Sequence, residues 1–153
     1  VRPFTGDDAT VGAVAAALDG SGLAHLAAHG RVRADNPLFS ALRLADGPLM
    51  VHDLEALDRA PGTVVLAACD TGRPVVAAGD ELMGLSATLL RQGTARLVAP
   101  VLAVHDERTV PLMTALHRGL AAGRPAAVAL ADAQEGAGDP AVAAPFLCLG
   151  AGL

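Results

Sequence analysis

Tryptophan and tyrosine are missing from this chain, and only three phenylalanines stand among its 153 residues. A core organised around large aromatic rings is excluded. The 52% hydrophobic fraction rests mainly on alanine, valine and leucine, small side chains that suit closely spaced strands and helices around one core. Cysteine is almost as scarce. Cys69 and Cys148 lie far apart, which rules out a disulfide framework and points to a reduced, cytoplasmic setting, with a single disulfide as the alternative. Basic residues are outnumbered 11 to 16 and form no run, so no direct nucleic-acid partner is expected. Long apolar runs are absent too. The longest, Leu97 to Val104, falls well short of the ~18 residues of a membrane helix and contains Pro100, so no membrane association is expected. No charged segment leads into an apolar one at the start, so no signal peptide is expected. The first residue is Val rather than Met, and a single domain over 1–153 belonging to a longer protein is expected.

What is present is an alternation of apolar runs with helical patterns, the mark of a mostly parallel α/β sheet. Val1 to Phe4 reads as a short edge strand. Asp7 to Leu18 reads as a helix capped by Asp7 or Asp8, with Val11, Val14 and Leu18 on one face. Leu23 to His29 reads as a strand. Between Arg31 and Met50 short alternating runs flank Asp46-Gly47, which predicts a β-hairpin insertion. His52 to Leu57 is a short helix. Thr63 to Ala68 is a continuous apolar run rich in β-branched residues, expected of a central strand. Helices are predicted over Asp80 to Arg91, Asp106 to Leu120 and Pro125 to Ala133. Val110, Met113, Leu116 and Leu120 form the apolar face of the second of these, and Gly93 and Gly123 act as stops. Ala95 to Val104 and Pro145 to Leu149 are the remaining strands, and 136–144 is a loop rich in Gly, Ala and Pro.

In parallel sheets, reactive groups gather where strands end at their carboxyl side. One strand runs into His29-Gly30 and the next parallel strand into Cys69-Asp70. If the two strands are neighbours, an imidazole and a thiol emerge together. Cys69 would attack a carbonyl as thiolate, with His29 generating that thiolate and protonating the leaving amine. The backbone N–H groups of Gly30 and Cys69 are the candidate oxyanion donors, and Gly30 has no Cβ to obstruct substrate.

The same residues resemble a known family. Leu23-Ala-His-Leu-Ala-Ala-His29-Gly30, Leu66-Ala-Ala-Cys69-Asp70-Thr71-Gly72, Gly79-Asp80-Glu81-Leu82-Met83-Gly84-Leu85 and Leu90-Arg-Gln-Gly-Thr-Ala-Arg-Leu-Val98 follow in order. Gln134 and the closing Phe146-Leu147-Cys148-Leu149-Gly150 come after them. Together they resemble the CHAT domain, specifically its C-terminal, catalytic half. The resemblance implies a caspase-like three-layer α/β sandwich with a mostly parallel central sheet and a β-hairpin insertion. It also implies a cysteine-peptidase dyad of His29 and Cys69, a protein or peptide substrate, and attachment to a repeat or sensor region. One segment departs from the family pattern. In Ala99-Pro100-Val101-Leu102-Ala103-Val104-His105-Asp106, Leu102 stands where the family has Trp and His105 where it has the first Asp. Asp70, Leu102, His105 and Asp106 are the candidate pocket residues.

Other assignments are plainer. Cys148 reads as core. His25 shares a strand face with His29, but a core histidine satisfied by hydrogen bonding is preferred over a metal pair, since no further ligands stand at suitable spacing. His52 and His117 read as surface or cap residues. Gly6, Gly12 and Gly20 make no phosphate loop, because no Lys-Ser/Thr follows them, and no cofactor or metal is expected. Two other functions compete with a peptidase: a catalytically silent caspase-like scaffold for protein interaction, and a nucleotide-binding α/β module.

Overall fold

A computed structural model describes residues 2–31, 41–67, 85–102, 104 and 106–151. After a 3-10 turn at Gly6–Asp8, the first helix, α1, spans Val11–Leu18. The edge strand expected at Val1 to Phe4 is not formed among residues 2–5. Nor does an aspartate of its own turn cap α1. Thr10 is the N-cap, its hydroxyl accepting from the Ala13 N–H at 3.3 Å. A second orphan donor, the Val11 N–H, is taken by the Asp46 carboxylate at 2.8 Å. Asp46 belongs to the hairpin turn, so the hairpin caps the helix from a distant part of the chain.

Strand β1 (Leu23–Leu26) is followed by β2 (Gly30–Arg31), β3 (Ala41–Arg43) and β4 (Pro48–Met50), the last three forming a small antiparallel sheet. The predicted hairpin is the β3–β4 pair, with Leu42 opposite Leu49. Helix α2 (Val51–Glu55) starts where the Asp53 carboxylate accepts from the Met50 N–H at 2.7 Å. Strand β5 (Thr63–Leu66) leads to α3, helical over the described residues 85–91. Then come β6 (Arg96–Pro100), α4 (Asp106–Ala121), α5 (Ala126–Glu135), α6 (Pro140–Ala143) and β7 (Phe146–Gly150). The stretch 136–144 read as a loop therefore contains a helical turn, α6. Its cap Asp139 accepts from the Ala141 N–H at 3.0 Å.

The main sheet has the order β1-β5-β6-β7, with β1, β5 and β6 parallel and β7 antiparallel to β6. β5 is buried on both faces, as its unbroken apolar run requires. The strand period of two sends Val64 and Leu66 to one side and Val65 and Ala67 to the other. On the first side Val14 and Leu18 of α1, Leu54 of α2 and Leu85 and Leu89 of α3 close over them. On the second, Leu112, Met113 and Leu116 of α4 join Ala129, Leu130 and Ala133 of α5. The result is a three-layer α/β sandwich with a mostly parallel central sheet. Gly93 and Gly123, at φ of 104° and 78°, end α3 and α4. Thr94 N–H to Leu89 C=O and Arg124 N–H to Gly119 C=O close each end in a Schellman arrangement.

Candidate active site

Strands β1 and β5 are hydrogen-bonded neighbours running the same way, with Leu26 opposite Leu66. The ladder extends one step further, where the Ala67 N–H donates to the Leu26 carbonyl at 2.9 Å. Both strands and β6 therefore deliver their carboxyl ends to one rim. His29 follows Leu26 by three residues. Its carbonyl accepts from the Arg43 N–H at 2.8 Å, and Gly30 stands opposite Leu42 in the small sheet. The main sheet thus anchors His29 on one side and the β-hairpin on the other, while its side chain is exposed. Ala28, just before it, packs against the first core.

Leu102 follows β6 at the same rim and is 48% exposed, a large apolar side chain left in solvent. The chain there is tied back by the Val101 N–H donating to the Pro145 carbonyl at 2.8 Å. Asp106 is the first residue of α4. Cys69, Asp70 and His105, the other residues singled out in the sequence, lie outside the described residues.

Beside this rim the outer strand β1 and helix α4 enclose a groove of about 760 Å³. Ala27 and Ala67 line its sheet side, and Val110, Met113 and Ala121 its helix side. The expectation for α4 needs correction here. Met113, Leu116 and Leu120 face the core as expected and Leu112 joins them, but Val110 is 59% exposed. Helical spacing gives α4 two stripes. One faces the core, and the other, Val110, Thr114, His117 and Ala121, faces the groove.

The expectation for His25 is revised in one respect: it is exposed rather than part of the core, although a hydrogen bond does satisfy it. His117 lies at the surface of α4 as expected and is its partner. His25 Nδ1 lies 2.8 Å from His117 Nε2. Their ring centroids are 4.8 Å apart with the planes inclined by only 26°. That separation approaches the N···N distance plus the two ring radii, so the rings meet edge to edge. One ring donates an N–H to the lone pair of the other. His25 has its pKa lowered to about 4, first by burial and then by the neighbouring His117. Burial lowers the His117 pKa as well. Each residue was visible in the sequence; the signal that joined them was the groove-facing stripe of α4, which becomes meaningful only once β1 is seen opposite. Cys148 on β7 packs beside the second core, and burial raises its thiol pKa, which suits an inert side chain.

The family model described as CHAT domain matches residues 1–143. No curated protein matches the chain.

Proposed function

This chain belongs to the CHAT domain family, and from that premise we propose that it is a cysteine endopeptidase in which His29 and Cys69 form the catalytic dyad. The observation that carries the reading is the register of β1 and β5. Leu26 is opposite Leu66, and His29 and Cys69 each come three residues later in the sequence. Neighbouring parallel strands that stay in step bring such residues to a common level.

The Cys69 thiolate adds to the scissile carbonyl carbon, and the oxyanion is held by backbone N–H groups. Gly30 suits that task. The bond from the Arg43 N–H to the His29 carbonyl flanks the Gly30–Leu42 pair, which makes this a non-hydrogen-bonded pair whose N–H groups point out of the ladder. Protonated His29 then gives its proton to the departing amine, leaving a thioester. Water, deprotonated by His29, attacks the thioester and restores the thiol. The substrate is a protein or peptide. Asp70, Leu102, His105 and Asp106 are the candidate pocket residues, and an attached repeat or sensor region is the proposed regulator. The test is covalent labelling of the full-length protein by a peptidyl electrophile. Cys69→Ala is expected to abolish labelling, and His29→Ala to slow it by at least about 100-fold, with the fold intact by circular dichroism. Absence of labelling in the wild type sinks the proposal.

The half-exposed Leu102 favours a second reading, a silent scaffold that docks a protein at this rim. Capture of a partner that survives the combined His29→Ala and Cys69→Ala change, but not Leu102→Asp, supports it.

A further inference from the structure

We propose that His25 and His117 form a binding site for a divalent transition-metal ion of the zinc class, clamping the edge strand β1 to helix α4. The two elements are far apart in sequence, yet each contributes one imidazole nitrogen to a single point. Zinc–imidazole bonds of about 2.0–2.1 Å with tetrahedral angles need the two nitrogens about 3.3 Å apart. The observed 2.8 Å has to open by about half an ångström. Tilting the two side chains opens that distance and turns both nitrogens toward one point, because one nitrogen of each ring already faces the other. The metal takes the place between the two nitrogens, and the donor ring moves its single N–H proton to its other nitrogen by exchange with water. His25 then carries its proton on Nε2 and His117 on Nδ1.

The surroundings fit this use. Among the described residues no group of three His, Cys, Asp or Glu side chains is arranged for a metal, so the ion takes two protein ligands and fills its other positions from the groove. The groove has room for those waters. Thr114 lines it one turn from His117. Its hydroxyl hydrogen goes to the Val110 carbonyl at 2.8 Å, so its oxygen presents acceptor density to a bound water. Glu107 adds negative charge to the groove and Arg118 positive charge, which leaves the site electrostatically even. Both imidazoles are neutral at pH 7, so only the shared N–H must reorganise on binding. Imidazole donors suit zinc, nickel and copper and do not suit magnesium or calcium.

The site is independent of the peptidase reading, and its test is built to stay so. Titration calorimetry with Zn²⁺ and with Ni²⁺ is run on the full chain carrying His29→Ala and Cys69→Ala, which removes the other His–Cys pair as a competing ligand set. One equivalent of metal is expected to bind. His117→Ala or His25→Gln in that background is expected to weaken binding at least about tenfold. His52→Ala, at an exposed histidine beside Asp53, is expected to leave binding unchanged. Titration with Mg²⁺ is expected to show nothing. If His25→Gln disturbs the fold, His117→Gln on the helix surface carries the test. The proposal is overturned if the background chain binds no metal saturably, or if binding persists undiminished in the His117 variants.

Discussion

Two imidazoles sharing one hydrogen bond make stability depend on pH at the level of single residues. His25 titrates near 4 in the folded chain and near 6.5 when unfolded. The unfolded state therefore binds a proton over that window which the folded state does not. Stability is expected to fall as pH drops from 6.5 toward 4 and to level off above 6.5. Urea unfolding at several pH values checks this. His25→Gln is expected to flatten the slope in that window, although part of the effect is screened because the ring is partly exposed. Gln134 is a second residue with a traceable role. Its side-chain amide donates to both the Ala143 and Phe146 carbonyls at 2.9 Å, tying the end of α6 to the start of β7. Gln134→Ala leaves both carbonyls without that donor and is expected to cost about 1–3 kcal/mol in urea unfolding.

Among the elements, α4 and α5 approach each other closely at one glycine. A Cβ on Gly119 would lie 2.8 Å from the Ala129 Cβ, too near for either helix to stay in place. Gly119→Ala is expected to destabilise by about 1–3 kcal/mol, despite the better helix propensity of alanine, because overpacking outweighs it. Thermal unfolding of the variant decides between the two effects. The end of β7 carries a harder constraint. Gly150 has φ of 97°, and a Cβ there would stand 2.3 Å from the Ala95 carbonyl oxygen. Gly150→Ala combines backbone strain with a clash against main chain that cannot rotate away, and is expected to cost more than Gly119→Ala. Arg108 of α4 also pairs with Asp139 at the start of α6, and Arg124 before α5 with Asp132 on it, but both pairs are exposed and contribute little.

At the scale of the molecule, two apolar clusters share one sheet. Leu66 belongs to the cluster under α1, α2 and α3, and Leu116 to the one under α4 and α5; both are 0% exposed. Leu66→Ala and Leu116→Ala are each expected to cost about 2–5 kcal/mol. Because the two side chains belong to separate clusters, the losses are expected to add in the double variant. The sheet couples the layers, so a single urea transition is expected in each single variant. Two separated transitions would show that the layers unfold independently. No helix among the described residues is long and apolar enough to cross a membrane.

The layer order was readable from the residues because burial follows pattern. The uninterrupted run at Thr63–Leu66 had to be a central strand, and Asp46-Gly47 had to turn a hairpin. Gly93 and Gly123 had to end helices, since a positive φ at a helix end favours glycine. His29 could be placed at a strand exit for the same reason. Distance in sequence hid the rest. Nothing near α1 in the chain says that Asp46 caps it, and the local aspartates were the natural candidates. The neighbours β1 and β5, nearly forty residues apart, were an assumption until the register was known. On α4 the spacing allows either of two adjacent stripes to face the core. Only the position of the outer strand β1 sends Leu112 inward, leaves Val110 in the groove and sets His117 against His25. Local interactions are encoded within a few residues, whereas which faces meet depends on how whole elements are packed.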